Sequence, residues 1–581
     1  MEGRRLLRTH MKRYAGYYLL AFLLLGSANV VYAWFPKVLG EFTDLLQRGA
    51  LTREGVRDHA VRLMAIGIAY GVLFGAGQYI NHRLGRYFEF SARERLFGHF
   101  TRLSEAYFSR NGIGKLLSYV MNDVTAVREA IANGLNQMTN ASVLLVSTVA
   151  VMLFTDIPLY LLAFSMVPLL TIPLLVTRFG PRIRRQSEQV QEALAAMTES
   201  AEEQFGGIKV TKTFAAEPIA RLRFGDTVER IRNNQLELVK LSAMFQAALP
   251  FAGAVSLGIA MTYGGILVVQ DRLSLGEFVA LTLYLRMIMN PLQQIGNVIN
   301  IVQRSRASLD RLNGLFAVKP DIRECDTAAP LPPGAADVEI RGLTFAYPDS
   351  ARPALADIRL RVEAGKTVGV VGMTGSGKST LVKLLLRVYD PPAGTVFIGG
   401  CDIRGATFES LRTSIAYVPQ DGFLFSTTIG DNIAFYERSA DPKRVELAAK
   451  LADIYDNVAQ FPDRFDTKLG ERGLTLSGGQ RQRTGLARGL IKDAPILILD
   501  DSVSAVDTVT ETAIIDSLRR TRAGKTTILI AHRISAVMHA DEIVVLHEGR
   551  VVERGTHGEL LKRSGYYASL YAIQGEGASY G

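Results

Sequence analysis

Residues 372–379 read Gly372-Met373-Thr374-Gly375-Ser376-Gly377-Lys378-Ser379, and the apolar run Thr367-Val368-Gly369-Val370-Val371 stands directly before them. A buried strand that breaks at a glycine-rich turn and reopens as a helical stretch, here TLVKLLLRVY over 380–389, can cradle phosphate. Glycines let backbone amides turn toward the anion, and the helix N-terminus adds partial positive charge. In that frame Gly372, Thr374, Gly375, Ser376, Gly377 and Thr380 shape the cradle, Lys378 reaches the terminal phosphates and Ser379 holds Mg2+. Further on, Ile496-Leu497-Ile498-Leu499-Asp500 is an apolar strand closed by a carboxylate suited to the same metal. The chemistry indicated is the binding of a phosphate chain together with Mg2+.

Between these elements stands Leu476-Ser477-Gly478-Gly479-Gln480, and Tyr417-Val418-Pro419-Gln420-Asp421 precedes LFSTTIGDNI. Gly470-Glu471-Arg472-Gly473 lies just before the serine-glycine-glycine element, and Ser504-Ala505-Val506-Asp507 and His532 follow the acidic strand. In order and spacing over about 340–560 these residues resemble the ATP-binding cassette transporters, with one membrane domain fused ahead of one cassette as in an exporter half-transporter. The resemblance implies that Ser477, Gly478, Gly479 and Gln480 are a signature offering phosphate donors, that Gln420 lies in a loop near the metal, that Ser504–Asp507 is a D-loop, that His532 is a switch at the γ-phosphate, and that Tyr347 stacks on adenine. Each ATP would lie between the phosphate loop of one cassette and the signature of another. One chain holds one of each, so a second half-transporter is required. ATP binding would clamp the cassettes, hydrolysis would release them, and the motion would alternate an inward and an outward cavity.

One position departs from the family pattern. Asp500 is followed by Asp501, where the family usually carries a glutamate that polarises the attacking water. Aspartate is one methylene shorter, which withdraws the carboxylate by about 1–1.5 Å on ordinary bond lengths. A general base has to lie within about 2.6–3.2 Å of its proton or act through one water, and a misplacement of about 1 Å can cost roughly 100-fold. The site built on Lys378 is expected to bind ATP well and hydrolyse it slowly, with Asp501 a weakened base. The departure is similar to that in one subunit of heterodimeric bacterial exporters. It implies a partner that carries the glutamate and borrows this chain's intact signature; a homodimer using aspartate as a slow base is the alternative.

These residues need elements to hold them. The chain has 581 residues, too many for a single core, so at least two domains are expected. With 48% hydrophobic and 21% charged residues it is no disordered chain. The mean hydropathy of +0.15 averages two unlike halves. The expected class is a membrane all-α six-helix exporter domain over 1–305, a linker over 306–336, and a soluble α/β P-loop NTPase domain over 337–581. Six apolar runs are long enough to span a bilayer: near 14–36 (ending at Pro36), 60–81, 134–155, 157–178, 245–269 and 277–303. Segments 83–130 and 182–240 keep helical periodicity, so the spans are expected to continue as two long hairpins turning at Asn111–Gly114 and Phe205–Gly207. Their tips must dock on something, and the second half is the receptor expected. Gly399-Gly400 reads as a hairpin turn.

Arginines cluster after the second and fourth spans, at Arg83, Arg86, Arg93, Arg95, Arg102 and Arg110 and at Arg178, Arg182, Arg184 and Arg185. The links between spans three and four and between five and six hold only Arg272. Basic loops stay inside, which puts both termini in the cytoplasm and the chain in the inner or plasma membrane. The net charge of +10 is then a membrane-protein feature and not a nucleic-acid footprint. A soluble cassette protein acting on DNA or ribosomes lacks such spans; an ATP-gated channel shares nearly everything and stays open as a rival. Cargo is expected to be lipophilic or amphipathic: drugs, lipids or peptides. Arg286, Asn290 and Gln293 are candidates to line the pathway, and Trp34 reads as an interface anchor.

Overall fold

The computed structural model describes residues 2–578 apart from Ala335, Asp349, Ala351, Arg438, Glu471, Arg472, Leu474, Thr475, Val503 and Ala505, and describes only the backbone of Glu2, Leu249, Thr508 and 575–578. Glu471 and Arg472 of the loop before the signature, and Ala505 of the expected D-loop, therefore lie outside the described residues. Contacts divide the chain into two compact units. The first is Met1–Arg102 with Ser109–Lys319; the second is Pro320–Gly581 joined by Leu103–Phe108.

The first unit is helical. Among the described residues, five helices are long and apolar enough to cross a membrane by length and composition: Ala15–Gln47, Arg53–Phe100, Ile113–Leu153, Leu159–Gly206 and Glu217–Val269. The 48 residues of Arg53–Phe100 run about 72 Å at 1.5 Å per residue, more than twice a hydrocarbon core of about 30 Å. The first helix does not stop at Pro36. It breaks for one residue at Trp34 and resumes at Phe35, with Pro36 in the first turn, where a missing N–H costs nothing. Leu275–Ala317 is a continuous helix that falls short of the apolar criterion and runs through the start of the expected 306–336 linker. Its polarity is concentrated: Arg286, Asn290, Gln293, Asn297, Asn300 and Arg304 recur at three- and four-residue steps, one face of a helix.

Polar pairs fix how these helices lie. Asn81 donates to Asn136 (2.6 Å) and Arg128 pairs with Glu89 (3.5 Å), so one residue number rises by eight as the other falls by eight, the register of an antiparallel pair. Ser256 donates to the Ser165 carbonyl (2.5 Å) and Gln186 to the Asn234 carbonyl (3.2 Å), which sets the second long hairpin the same way. Glu89 is only 7% exposed and is also met by Arg86 and Arg93, each at 2.8 Å. Removing the partners of a buried charge costs about 3–5 kcal/mol, so this cluster clamps Arg53–Phe100 to the helix carrying Arg128. Both expected hairpin turns hold breakers: Gly112 sits at φ +69° after the short helix Glu105–Asn111, and Gly207 separates Leu159–Gly206 from Ile208–Thr213.

The second unit carries a four-stranded sheet, ordered Leu355–Val362, Val338–Phe345, Val396–Ile398, Cys401–Asp402, and a six-stranded sheet ordered Arg550–Gly555, Glu542–His547, Thr367–Val371, Thr526–Ala531, Ile496–Asp500, Ile415–Val418. The first sheet is antiparallel, and Gly399-Gly400 forms its expected tight turn, with Ile398 opposite Cys401. In the second, all strands but Arg550–Gly555 are parallel, and every residue of Ile496–Asp500 is buried, as a strand covered on both faces requires. The helix after the phosphate loop is shorter than the stretch to 389 suggests. It spans Lys378–Leu385 and stops because Arg387, at φ +52° and fully buried, turns back to donate to Asp390 and to the carbonyls of Arg323, Ile403 and Ala406. The hairpin segment Leu103–Phe108 belongs to this unit through two contacts: Lys383 to Glu105 (2.7 Å) and Ser104 to Asp321 (2.6 Å).

Candidate active site at the edge of the parallel sheet

Thr367–Val371 lies between Thr526–Ala531 and Glu542–His547, with Val371 level with Ala531, while Asp500 is level with Ile530. The phosphate loop, Asp501 and His532 therefore leave three parallel strands at the same carboxyl edge, where open α/β sheets bind ligands.

The loop fits a phosphate chain. A Cβ on Gly372 would lie 2.2 Å from the Leu546 carbonyl and 2.7 Å from Ser376 Oγ, and one on Gly377 (φ +101°) would lie 2.8 Å from the Ala354 carbonyl. Only glycine admits that path. Lys378, 5% exposed, curls into the loop and donates to the carbonyls of Gly372 (2.7 Å) and Met373 (3.0 Å). Burial pulls its amine below the ordinary lysine value, with Asp501 and Asp500 opposing. Burial likewise raises the Asp500 carboxyl above the usual aspartate range, against hydrogen bonds from Tyr417 and Ser379. Ser379 and Asp500 thus meet across the two motifs. They, with Gln420, would hold Mg2+, whose chemistry is to neutralise phosphate charge.

Asp501 is the point where the other motifs converge. It is 7% exposed and sits at φ +48°, a left-handed conformation that aspartate tolerates better than most residues. Its backbone N–H donates to the Ile530 carbonyl (2.8 Å). Its carboxylate accepts from Gln420 Nε2 and from the backbone N–H of His532, both at 3.3 Å. The three residues expected to carry the chemistry are therefore one cluster.

Tyr347 lies beside the loop, half-buried. Its hydroxyl is 3.0 Å from Thr380 Oγ1, and its ring stands edge-on to Phe345 (5.3 Å) and Tyr389 (5.2 Å). The signature is a helix N-terminus. Ser477 caps Gly478–Leu490, accepting from the Gln480 N–H (3.3 Å) while Gln480 Oε1 accepts from the Ser477 N–H (3.0 Å). Gln480 is thus engaged in the cap, while Ser477 and Gly478 face solvent at an N-terminus ready for an anion. Thr374 and Gly375 are exposed in the loop.

Three supporting residues escape a reading by motif. Gln482 donates to the Asp501 carbonyl (2.9 Å), tying the helix Gly478–Leu490 to the end of Ile496–Asp500. Gln574 accepts from the Ile534 N–H (2.9 Å) and donates to the His532 carbonyl (2.7 Å), fixing the switch loop from the last helix. Arg488 donates to the carbonyls of Phe423 (2.7 Å) and Asn432 (2.8 Å), bracing the loop that follows Gln420.

Comparison with known proteins agrees with this layout. Residues 18–292 match the ABC transporter transmembrane region and 355–504 match the ABC transporter family. A probable multidrug resistance ABC transporter ATP-binding/permease protein, YheI of Bacillus subtilis, is 34% identical over 564 residues, 96% of this chain and 95% of that protein. The ATP-dependent lipid A-core flippase of Syntrophus aciditrophicus is 35% identical over 482 residues, 83% of this chain and 80% of that protein. Among solved structures, a bacterial Atm1-family ABC exporter with ATP bound superposes with a TM-score of 0.78 at 26% identity, covering 97% of this chain and 98% of that one.

Proposed function

The chain belongs to the ABC transporter family, and from that premise we propose that it is one half of an efflux pump whose own ATP site is occupied but slow, paired with a different subunit that carries the catalytic glutamate. One observation carries the reading: an intact phosphate loop and an intact signature stand in the same chain as Asp501, whose carboxylate is retained by Gln420 and the His532 N–H. Lys378 and the loop amides bind and orient the phosphates, and Ser379, Asp500 and Gln420 are the residues for Mg2+. His532 and Asp501 manage the attacking water, Asp501 from too far back. Ser477 and Gly478 complete the partner's site.

Two exposed surfaces support a two-chain assembly. The tip around Ile208–Thr213 bares Phe205 (74% exposed) and Phe214 (77%), apolar rings that a soluble tip would not keep in water. The cassette presents Phe423, Phe425 and Phe435 around Arg488, an aromatic seat for such a tip from another chain. Both termini lie in the cytoplasm in this reading, and the chain spans the inner or plasma membrane six times, with the polar face of Leu275–Ala317 turned to the pathway.

The cargo is amphipathic: a drug, lipid or peptide, in keeping with the named activities of the multidrug and lipid A relatives. A cavity of about 860 Å³ is walled by three helices of the first unit and carries Gln293, Asn297, Asn300 and Arg304 from that polar face, with Glu192 and Phe245 opposite. It offers charge of both signs beside apolar surface. Reconstitution of both subunits in vesicles tests the proposal: a pump builds a gradient of amphipathic dye against its concentration when ATP is added, whereas a channel only dissipates one.

A further inference from the structure

The N-terminal helix Glu2–Arg13 has two unlike sides. Gly3, Leu6 and His10 are buried, while Arg4, Arg5, Arg8, Lys12 and Arg13 face outward. It is pinned to the far end of Leu275–Ala317 by Arg4, whose N–H donates to Asn313 (2.8 Å) and whose guanidinium pairs with Asp310 (2.5 Å). Between this helix and its neighbours runs a groove of about 500 Å³, whose apolar wall is made by Leu7, Met11, Ile131, Leu135, Val302 and Leu309. A second groove shares Arg4, Leu7 and Met11 and leads outward to Arg8 and Lys12.

Two features of this trough lack a partner among the described residues. Tyr18, on its wall, has a buried hydroxyl with no hydrogen-bond partner among them. Arg306, on its rim, has no carboxylate within ion-pair distance among the described residues, and the same holds for Arg8 and Lys12. An apolar trough ending in uncompensated cations, beneath a basic amphipathic helix, matches one chemistry: an acyl chain attached to an anionic headgroup.

We propose that this trough is a binding site for an anionic phospholipid, with an acyl chain between Met11, Ile131 and Leu309 and the headgroup phosphate held by Arg8, Lys12 and Arg306. The site rests on the membrane placement proposed above and is separate from the cargo cavity, with which it shares no residue. Each basic side chain near an anionic lipid is worth about fivefold in affinity.

Trp34 is the only tryptophan, so a Leu309→Trp, Trp34→Phe variant places one reporter in the trough. The full transporter carrying it, with any tryptophan of the partner subunit replaced by phenylalanine, is reconstituted with brominated phosphatidylglycerol or brominated phosphatidylcholine, and the relative binding constants follow from quenching. Phosphatidylglycerol should be preferred by at least about fivefold. Arg8→Gln, Lys12→Gln and Arg306→Gln together should bring the preference close to unity while quenching by phosphatidylcholine persists. Equal quenching by both lipids in the unneutralised protein would overturn the site as mere annular contact. No quenching by either would overturn it in favour of cover by the partner subunit. The readout needs neither ATP turnover nor transport, so failure of the pump reading would leave it standing, and its own failure would leave the pump reading untouched.

Discussion

Lengthening Asp501 by one methylene is the perturbation with the clearest arithmetic. Asp501→Glu advances the carboxylate by about 1–1.5 Å, and it has little to surrender, because its two contacts, from Gln420 and the His532 N–H, are long at 3.3 Å. A misplacement of about 1 Å accounts for up to about 100-fold in rate, or about 2.7 kcal/mol of barrier. The backbone at φ +48° exacts a small stability cost from the longer side chain, of order 1 kcal/mol, which does not touch the barrier. The assay is single-turnover hydrolysis by the two-subunit complex after the partner's catalytic glutamate is replaced by glutamine, so that only the site built on Lys378 reports. The rate should rise between about tenfold and about 100-fold with ATP affinity unchanged. In the otherwise native complex Asp501→Asn should alter total turnover by less than about threefold, since an idle base is no loss. A flat response to glutamate, or collapse of total turnover with asparagine, would refute the withdrawn-carboxylate reasoning.

Three further outcomes follow from particular contacts. Ser477→Arg should leave ATP binding at the Lys378 loop intact yet lower turnover of the complex at least about 100-fold, because it strikes the other chain's site; nucleotide binding and steady-state hydrolysis measured side by side check this, and loss of both together would contradict it. Glu105→Lys should reduce cargo transport per ATP hydrolysed through loss of the Lys383 pair, and Glu105→Lys with Lys383→Glu should recover much of it; a half-exposed pair is worth at most about 1 kcal/mol, so stability should barely move in thermal unfolding. Because burial raises the Asp500 carboxyl, protons compete for the metal position earlier on acidification than at an exposed aspartate. The Mg2+-dependent gain in ATP affinity should therefore begin to fall at a pH above the ordinary aspartate range as the native protein is acidified, and fall less steeply in Asp500→Asn, as titration calorimetry would show; equal slopes in the two proteins would refute it.

Local chemistry was legible in the sequence where a feature depends on neighbours along the chain. Thr367–Val371, Ile496–Asp500 and the Gly399-Gly400 turn needed only periodicity and glycine, and each forms as those predict. Features set by packing between distant segments were not legible. Nothing near Gln482 or Gln574 says that one holds the Asp501 carbonyl and the other the His532 loop, and nothing at Arg387 says that it ends a helix by turning inward. The polar face from Arg286 to Arg304 was present in the spacing all along, but averaging hydropathy over a window hides a stripe that occupies one side of a helix. Pro36 misled for the opposite reason: it signals a break, and here the break is a single residue inside one transmembrane element.

The asymmetric pump stands or falls on whether this chain needs a companion to use ATP at speed. The direct measurement is ATP turnover and uphill dye accumulation by the purified chain in proteoliposomes, first alone and then co-assembled with a partner half-transporter that carries glutamate after its acidic strand. Alone, the protein should retain bound nucleotide with turnover about 100-fold below that of the pair, and accumulate no dye. Rapid hydrolysis and concentrative transport by the single chain would contradict the account outright.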